Sequence, residues 1–138
     1  MAVFLDTSAL YALLDRDDAH HQEAARTLRE LLEARWPLTT HAYVVVESVA
    51  LVQRRLGVEA VRALVHGLMG VVEVAPVDEV LHRAALTALL ASGRREVSLV
   101  DWTSFLFMRE RGLEKAFAYD EHFWEQGFVS VGEALHNG

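Results

Sequence analysis

Apolar residues in this chain follow two rhythms: short unbroken runs that stop at polar residues, and longer stretches in which they return every three or four positions. The first run, Val3-Phe4-Leu5, ends abruptly at Asp6 and the hydroxyls Thr7 and Ser8. This predicts a buried strand delivering a carboxylate, with Thr7-Ser8 opening a helix that continues over 9–14. Asp15-Arg16-Asp17-Asp18 breaks that helix. Ala24, Ala25, Leu28, Leu31 and Leu32 share one helical face and predict a second helix over 19–35, ended by Pro37. Leu38-Thr39-Thr40 reads as a short strand, and Thr40 or His41 begins the next helix.

That third helix, over 42–56, is apolar nearly all round. Its β-branched run would suit a strand by propensity alone, but its length and its Gln53-Arg54-Arg55-Leu56-Gly57 ending, a basic turn followed by glycine, favour a helix. A fourth helix is predicted over 58–69 with Gly70 as its cap, then a strand over 71–74, a fifth helix over 78–90 and a loop over 92–96. A sixth helix follows over 98–111, stopping at Gly112, then strands over 116–119 and 128–131. Strands alternating with helices imply right-handed crossovers. The fold class expected is α/β, a single three-layer α/β/α domain over 1–138 with a mostly parallel central sheet.

Composition agrees with this picture. A 52% hydrophobic share suits a parallel sheet covered on both faces. The chain has no cysteine, which excludes disulfides and thiolate metal sites, and no uncharged run of about 18 residues that could span a bilayer. Nothing at the N-terminus reads as a signal peptide, since Asp6 and Asp15 to Asp18 interrupt any apolar stretch, so the cytoplasm is the expected location. The formal charge of −7 argues against tight, metal-independent binding of nucleic acid. It does not exclude a nucleic-acid enzyme whose carboxylates are neutralised by divalent cations.

Four acids carry the chemistry. Asp6 and Asp120 each follow a predicted strand and precede a helical segment, where aspartate is a favoured N-cap. Ser98-Leu99-Val100-Asp101 matches a capping box. Taken alone, each of these three is more often a cap than a ligand. Glu47 has no such reading: its helical neighbours Tyr43, Val44, Ala50 and Leu51 are apolar, which puts its carboxylate on a buried stripe with no base in helical reach. A buried carboxylate costs several kcal/mol unless paired or metal-bound. A parallel sheet can gather all four at one edge, and hard oxygen ligands favour Mg²⁺ or Mn²⁺ over zinc. Such ions serve water activation and in-line attack at phosphorus.

The ordered set Leu5-Asp6-Thr7-Ser8-Ala9-Leu10, Val46-Glu47-Ser48, Ser98-Leu99-Val100-Asp101 and Asp120-Glu121-His122-Phe123 with Gly127 resembles the PIN-domain family of metal-dependent nucleases, most closely its VapC-type toxin ribonucleases. The resemblance implies that Asp6, Glu47, Asp101 and Asp120 line one acidic pocket. Asp6 and Asp101 would ligate the metal, while Glu47 and Asp120 would bind it directly or through water and orient the nucleophile. It also implies that Thr7 and Ser8 hold a water or a phosphate oxygen, and that Asp17-Asp18-Ala19-His20-His21 is the loop after the first helix. An RNA substrate, a small antitoxin partner and a homodimer enter the same way. One departure is Tyr119, where many relatives carry a small hydroxyl residue before the final acid.

Arg94 and Arg95 precede Asp101 and either border the pocket, holding an RNA phosphate, or form a solvated pair. The expectation is an Mg²⁺- or Mn²⁺-dependent endoribonuclease, the toxin of a type II toxin–antitoxin pair. The alternative is a noncatalytic PIN-like module that binds RNA or protein and holds a structural metal.

Overall fold

A computed structural model describes residues 2–137. Five strands, β1 (Val3–Leu5), β2 (Leu38–His41), β3 (Glu73–Ala75), β4 (Lys115–Phe117) and β5 (Val129–Ser130), form one parallel sheet in the order β3-β2-β1-β4-β5. Strand β1 is central, with Val3 opposite Leu38 on one side and Lys115 on the other. All three of its residues are fully buried, as an uninterrupted apolar run in a two-faced sheet requires.

The helices are α1 (Thr7–Leu14), α2 (His21–Glu33), α3 (Ala42–Leu56), α4 (Val58–His66), α5 (Glu79–Ser92), α6 (Leu99–Glu110), α7 (His122–Glu125) and α8 (Val131–Asn137). They flank the sheet and complete three α/β/α layers. Strand order reverses at β1: the chain moves to β2 on one side and returns to β4 on the other. Such a switch point opens a crevice beyond the carboxyl ends of the two strands. Asp6 follows β1 there, and Asp120 follows β4 closely.

An aromatic cluster fixes the elements around the crevice. Phe4 on β1 lies 5.8 Å from Phe107 and 6.0 Å from Phe123, and Phe105 meets Phe123 edge-on at 5.0 Å and 84°. Phe4, Phe105 and Phe123 are fully buried, so α6 and α7 are pinned to the sheet through side chains worth about 2–3 kcal/mol each in apolar burial.

Several boundaries differ from the sequence expectation. Helix α2 starts at His21 rather than 19, because Asp18 accepts the His20 amide at 2.8 Å in a turn. It stops at Glu33, since Arg35 takes a left-handed φ of 57°. Helix α4 ends at His66, a 3-10 turn spans Leu68–Val71, and the strand lies at Glu73–Ala75 instead of 71–74. Two glycines, Gly67 and Gly70, weaken the helix in that stretch. Strand β4 stops at Phe117 because the Tyr119 amide leaves the ladder and donates to Ser8 Oγ at 2.9 Å. Strand β5 has only two residues and runs straight into α8, a helix the pattern did not announce. Gly57 ends α3 as expected, with a φ of 94° that favours glycine.

Candidate active site

The site is assembled from four chain segments. Asp6 is the N-cap of α1, accepting from the Ser8 amide at 3.2 Å and the Ser8 hydroxyl at 2.6 Å. Both bonds fall on Oδ2; among the described residues no side-chain or amide donor reaches Oδ1. Asp101 closes the capping box of α6: the Ser98 amide donates to its Oδ2 at 2.9 Å, and its own amide donates to Ser98 Oγ at 3.1 Å. Asp120 Oδ1 accepts from the His122 amide at 2.9 Å. Asp6 and Asp101 are caps as read, but Asp120 is not: Glu121 takes the N-cap position of α7, and Asp120 only closes a turn onto the His122 amide. Each cap uses one carboxylate oxygen and leaves the other.

Burial decides what the leftover oxygens do. Asp6 is 4% exposed, and burial pushes its carboxyl up to about 7, against which the Ser8 bonds pull; the charges of Asp101 and Asp120 raise it further. Asp101 is also raised, by burial first and then by Asp120 and Glu47. The acids thus feel one another across the crevice. Among the described residues no arginine or lysine pairs with Asp6, Glu47 or Asp101. Mutually repelling, partly buried carboxylates without a base are the environment a divalent cation neutralises.

Glu47 occupies a different setting from the one its neighbours implied. It is half-buried, and α3 is fully buried only at Val44, Ser48 and Val52, with Val46 standing 68% exposed. The apolar face around Glu47 is open rather than covered. With Tyr43, Val46, His82, Leu99 and Val100 it lines a shallow cleft of about 370 Å³.

Of the hydroxyls, Thr7 Oγ1 is buried and has no partner among the described residues, which leaves it able to hold a water or a phosphate oxygen. Ser8 Oγ donates to Asp6 and accepts from the Tyr119 amide, so it links the α1 cap to the segment after β4. Arg94 is tied by Nε to Glu96 at 2.8 Å and by Nη1 to Glu125 at 3.1 Å, its charge answered by two carboxylates. Arg95 is exposed and has no ion pair among the described residues.

One residue near the centre was not assigned a role by sequence reasoning. His122 places Nδ1 2.8 Å from Asp120 Oδ1, without hydrogen-bond geometry, and that atom is buried with no hydrogen-bond partner among the described residues. Ligand atoms of Asp101, Asp120 and His122 lie within 4.8 Å of one another. The sequence signal was only the spacing Asp120-x-His122. The donor set fits a divalent cation.

A family model for the PIN domain matches residues 3–129. The chain is 38% identical over 131 residues to the 23S rRNA-specific endonuclease VapC20 of Mycobacterium tuberculosis, covering 94% of this chain and 97% of the relative. The crystal structure of that VapC20, a sarcin-ricin loop cleaving toxin, superposes with a TM-score of 0.80 at 37% identity over 92% of this chain and 96% of that one. VapBC2 from Rickettsia felis, bound to a DNA fragment from its promoter, shares the fold at 11% identity with a TM-score of 0.70, over 94% of this chain and 97% of that chain. FitAcB from Neisseria gonorrhoeae shares it at 16% identity with a TM-score of 0.67, over 93% and 95%. The chain belongs to the PIN-domain family, as one of its VapC-type toxin ribonucleases.

Proposed function

We propose that the protein is an Mg²⁺- or Mn²⁺-dependent endoribonuclease, folded as one domain over 1–138, and the toxin of a type II toxin–antitoxin pair acting as a cytoplasmic homodimer. The observation that carries this reading is the grouping of Asp101, Asp120 and His122 ligand atoms within 4.8 Å of one another, with the buried Asp6 carboxylate at the switch point of the sheet feeling the charges of both acids and Glu47 acting on Asp101. Asp6 and Asp101 are proposed to hold the cation, with Asp120 and Glu47 binding it directly or through water. When bound, a divalent cation neutralises these carboxylates, polarises a phosphate oxygen and lowers the pKa of a bound water.

The remaining work falls to the protein's own groups. Glu47 and Asp120 orient the attacking water and accept its proton. Thr7 Oγ1 offers a donor to a water or a phosphate oxygen, and Ser8 holds the Asp6 carboxylate in place. Arg95, exposed and free of ion pairs among the described residues, contacts an RNA phosphate. Arg94 braces Glu125 of α7 against the loop before α6.

The relative VapC20 makes 23S ribosomal RNA the first substrate to try. Family membership supports the antitoxin. The outward side of α5, with Val80 79% and Leu90 80% exposed, and Val46 on α3 support a protein interface. Among the described residues no helix is long and apolar enough to cross a membrane, which is compatible with the cytoplasm.

The test is incubation of ribosomal RNA with the protein in Mg²⁺ or Mn²⁺, with and without chelator, beside Asp101→Asn checked for an unchanged melting temperature. Chelator-sensitive cleavage at a few sites, absent from the variant, is expected. Intact RNA in every lane, or cleavage indifferent to chelator, contradicts the proposal.

A further inference from the structure

The residue before the last acid leads to a nucleotide-binding feature. Tyr119 stacks on His20 with ring centroids 4.1 Å apart and planes 9° from parallel. This close, near-parallel aromatic pair joins the loop before α2 to the segment after β4. Its placement is fixed at both ends. The His20 amide is held by Asp18 at 2.8 Å, and the Tyr119 amide donates to the Ser8 hydroxyl that itself donates to Asp6. Asp120 is the next residue in the chain. The pair therefore stands one residue from one site acid and two hydrogen bonds from another.

The two rings are exposed unequally. Tyr119 is half-buried, with Phe117 meeting its ring edge-on at 6.2 Å, while His20 is exposed. The outer ring is thus held flat against a fixed support, and among the described residues no other aromatic ring covers it. As a loop staple such an exposed pair would contribute little to stability. As a platform it is preorganised, since a ring already oriented by stacking loses little freedom when a third ring joins. Arg26, exposed and without an ion pair among the described residues, contributes its charge at Tyr119 and could meet the attached phosphate.

We infer that His20, supported by Tyr119, is a stacking platform for an unpaired RNA base next to the scissile phosphate, and so a specificity-determining contact of the nuclease. Single-stranded RNA is recognised by stacking splayed bases on Phe, Tyr, Trp or His rings. This inference rests on the ribonuclease reading above and adds where the strand lies: along the α2 side of the acidic crevice. Stacking made equally in the ground and transition states lowers KM and leaves kcat alone.

The test uses single-stranded oligoribonucleotides carrying 2-aminopurine at successive positions around the cleavage site, read by fluorescence quenching on the Asp101→Asn protein and by steady-state cleavage on the otherwise wild-type protein. Quenching is expected at one position and is lost with His20→Ala. In cleavage, His20→Ala raises KM roughly tenfold, within the range that aromatic deletion produces in single-strand binding. It leaves kcat within about twofold, and His20→Trp restores both quenching and KM. Tyr119→Phe, which keeps the ring, behaves as wild type. Unchanged KM and quenching in His20→Ala overturn the platform, leaving the pair as a staple if the melting temperature falls, or as a protein-contact surface if it does not. Position-specific quenching without cleavage by the wild-type protein would fault the nuclease reading and leave the platform standing.

Discussion

Strands β1 and β2 lie side by side and end in the same way, with a polar residue that caps the next helix, yet the two ends have opposite fates. Asp6 caps α1 with one oxygen and leaves the other without a donor among the described residues, where it feels the charges of Asp101 and Asp120. His41 caps α3 with Nδ1, which accepts from the Tyr43 amide at 3.2 Å and the Val44 amide at 3.4 Å. Its other nitrogen lies 2.8 Å from Ser104 Oγ, whose hydrogen is committed to the Val100 carbonyl, so Nε2 carries the proton and donates. The imidazole is fully buried with both nitrogens used, and burial pushes its pKa down to about 4. A polar group with every valence answered inside the protein is architecture. One with an oxygen left over, among like charges, is available for chemistry.

The largest effect expected from breaking this comparison is at the satisfied end. His41→Ala removes a buried ring, a helix cap and the tie to α6, and should lower unfolding free energy by about 3–5 kcal/mol in urea denaturation. His41→Asn, which keeps a capping acceptor, should recover about 1 kcal/mol of that. At the open end, Asp6→Asn should leave the fold intact and reduce RNA cleavage about 10²- to 10³-fold, the scale of losing one electrostatic partner of the reaction, measured as kcat/KM on a fixed oligoribonucleotide.

A third effect is in the pH dependence of the metal-free protein, where the two ends act with opposite sign. Asp6, raised from 3.8 to about 7, contributes stability that is complete below pH 3.8 and lost as pH rises through 7. His41, lowered from 6.5 to about 4, contributes stability that is complete above pH 6.5 and lost as pH falls through 4. Over the shared window the two slopes offset each other. The melting-temperature difference between Asp6→Asn and wild type should therefore grow as pH rises from about 4 to 7 and level off above it. A difference flat with pH would mean that Asp6 is not the strained group.

The smallest effect is at the rim. Arg95→Ala should leave stability within about 0.5 kcal/mol and raise KM a few-fold, with a shallower salt dependence of RNA binding. Arg94→Ala should instead loosen α7 by releasing Glu125.

Much of this was legible in the sequence where the signal is local. An apolar run halting at Asp6, a basic turn ending at Gly57 and the Ser98–Asp101 box each announce their own geometry over a few residues. What escaped depends on residues far apart in the chain. His41 read only as a possible helix start, because its second partner, Ser104, belongs to α6. Glu47 read as buried because its helical neighbours are apolar, but His82 of α5 and Leu99 and Val100 of α6 cover that side of α3 only in part, as the walls of an open cleft, and Val46 lies exposed. The stacking of His20 on Tyr119 joins two loops that no periodicity relates. Helix α8 follows a two-residue strand too short to set a pattern.

The central claim, that the leftover oxygen of Asp6 belongs to a cation site, is tested most directly by thermal unfolding of the wild type, Asp6→Asn and His41→Asn at pH 8 with increasing Mn²⁺. Binding to the folded state alone stabilises by about 2.7 kcal/mol at a hundredfold excess over Kd. That predicts a clear Mn²⁺-dependent rise in Tm for the wild type and for His41→Asn. Asp6→Asn should start from a higher metal-free Tm and rise little or not at all. An equal Mn²⁺ response in Asp6→Asn and the wild type would contradict the account and return Asp6 to the role of a helix cap.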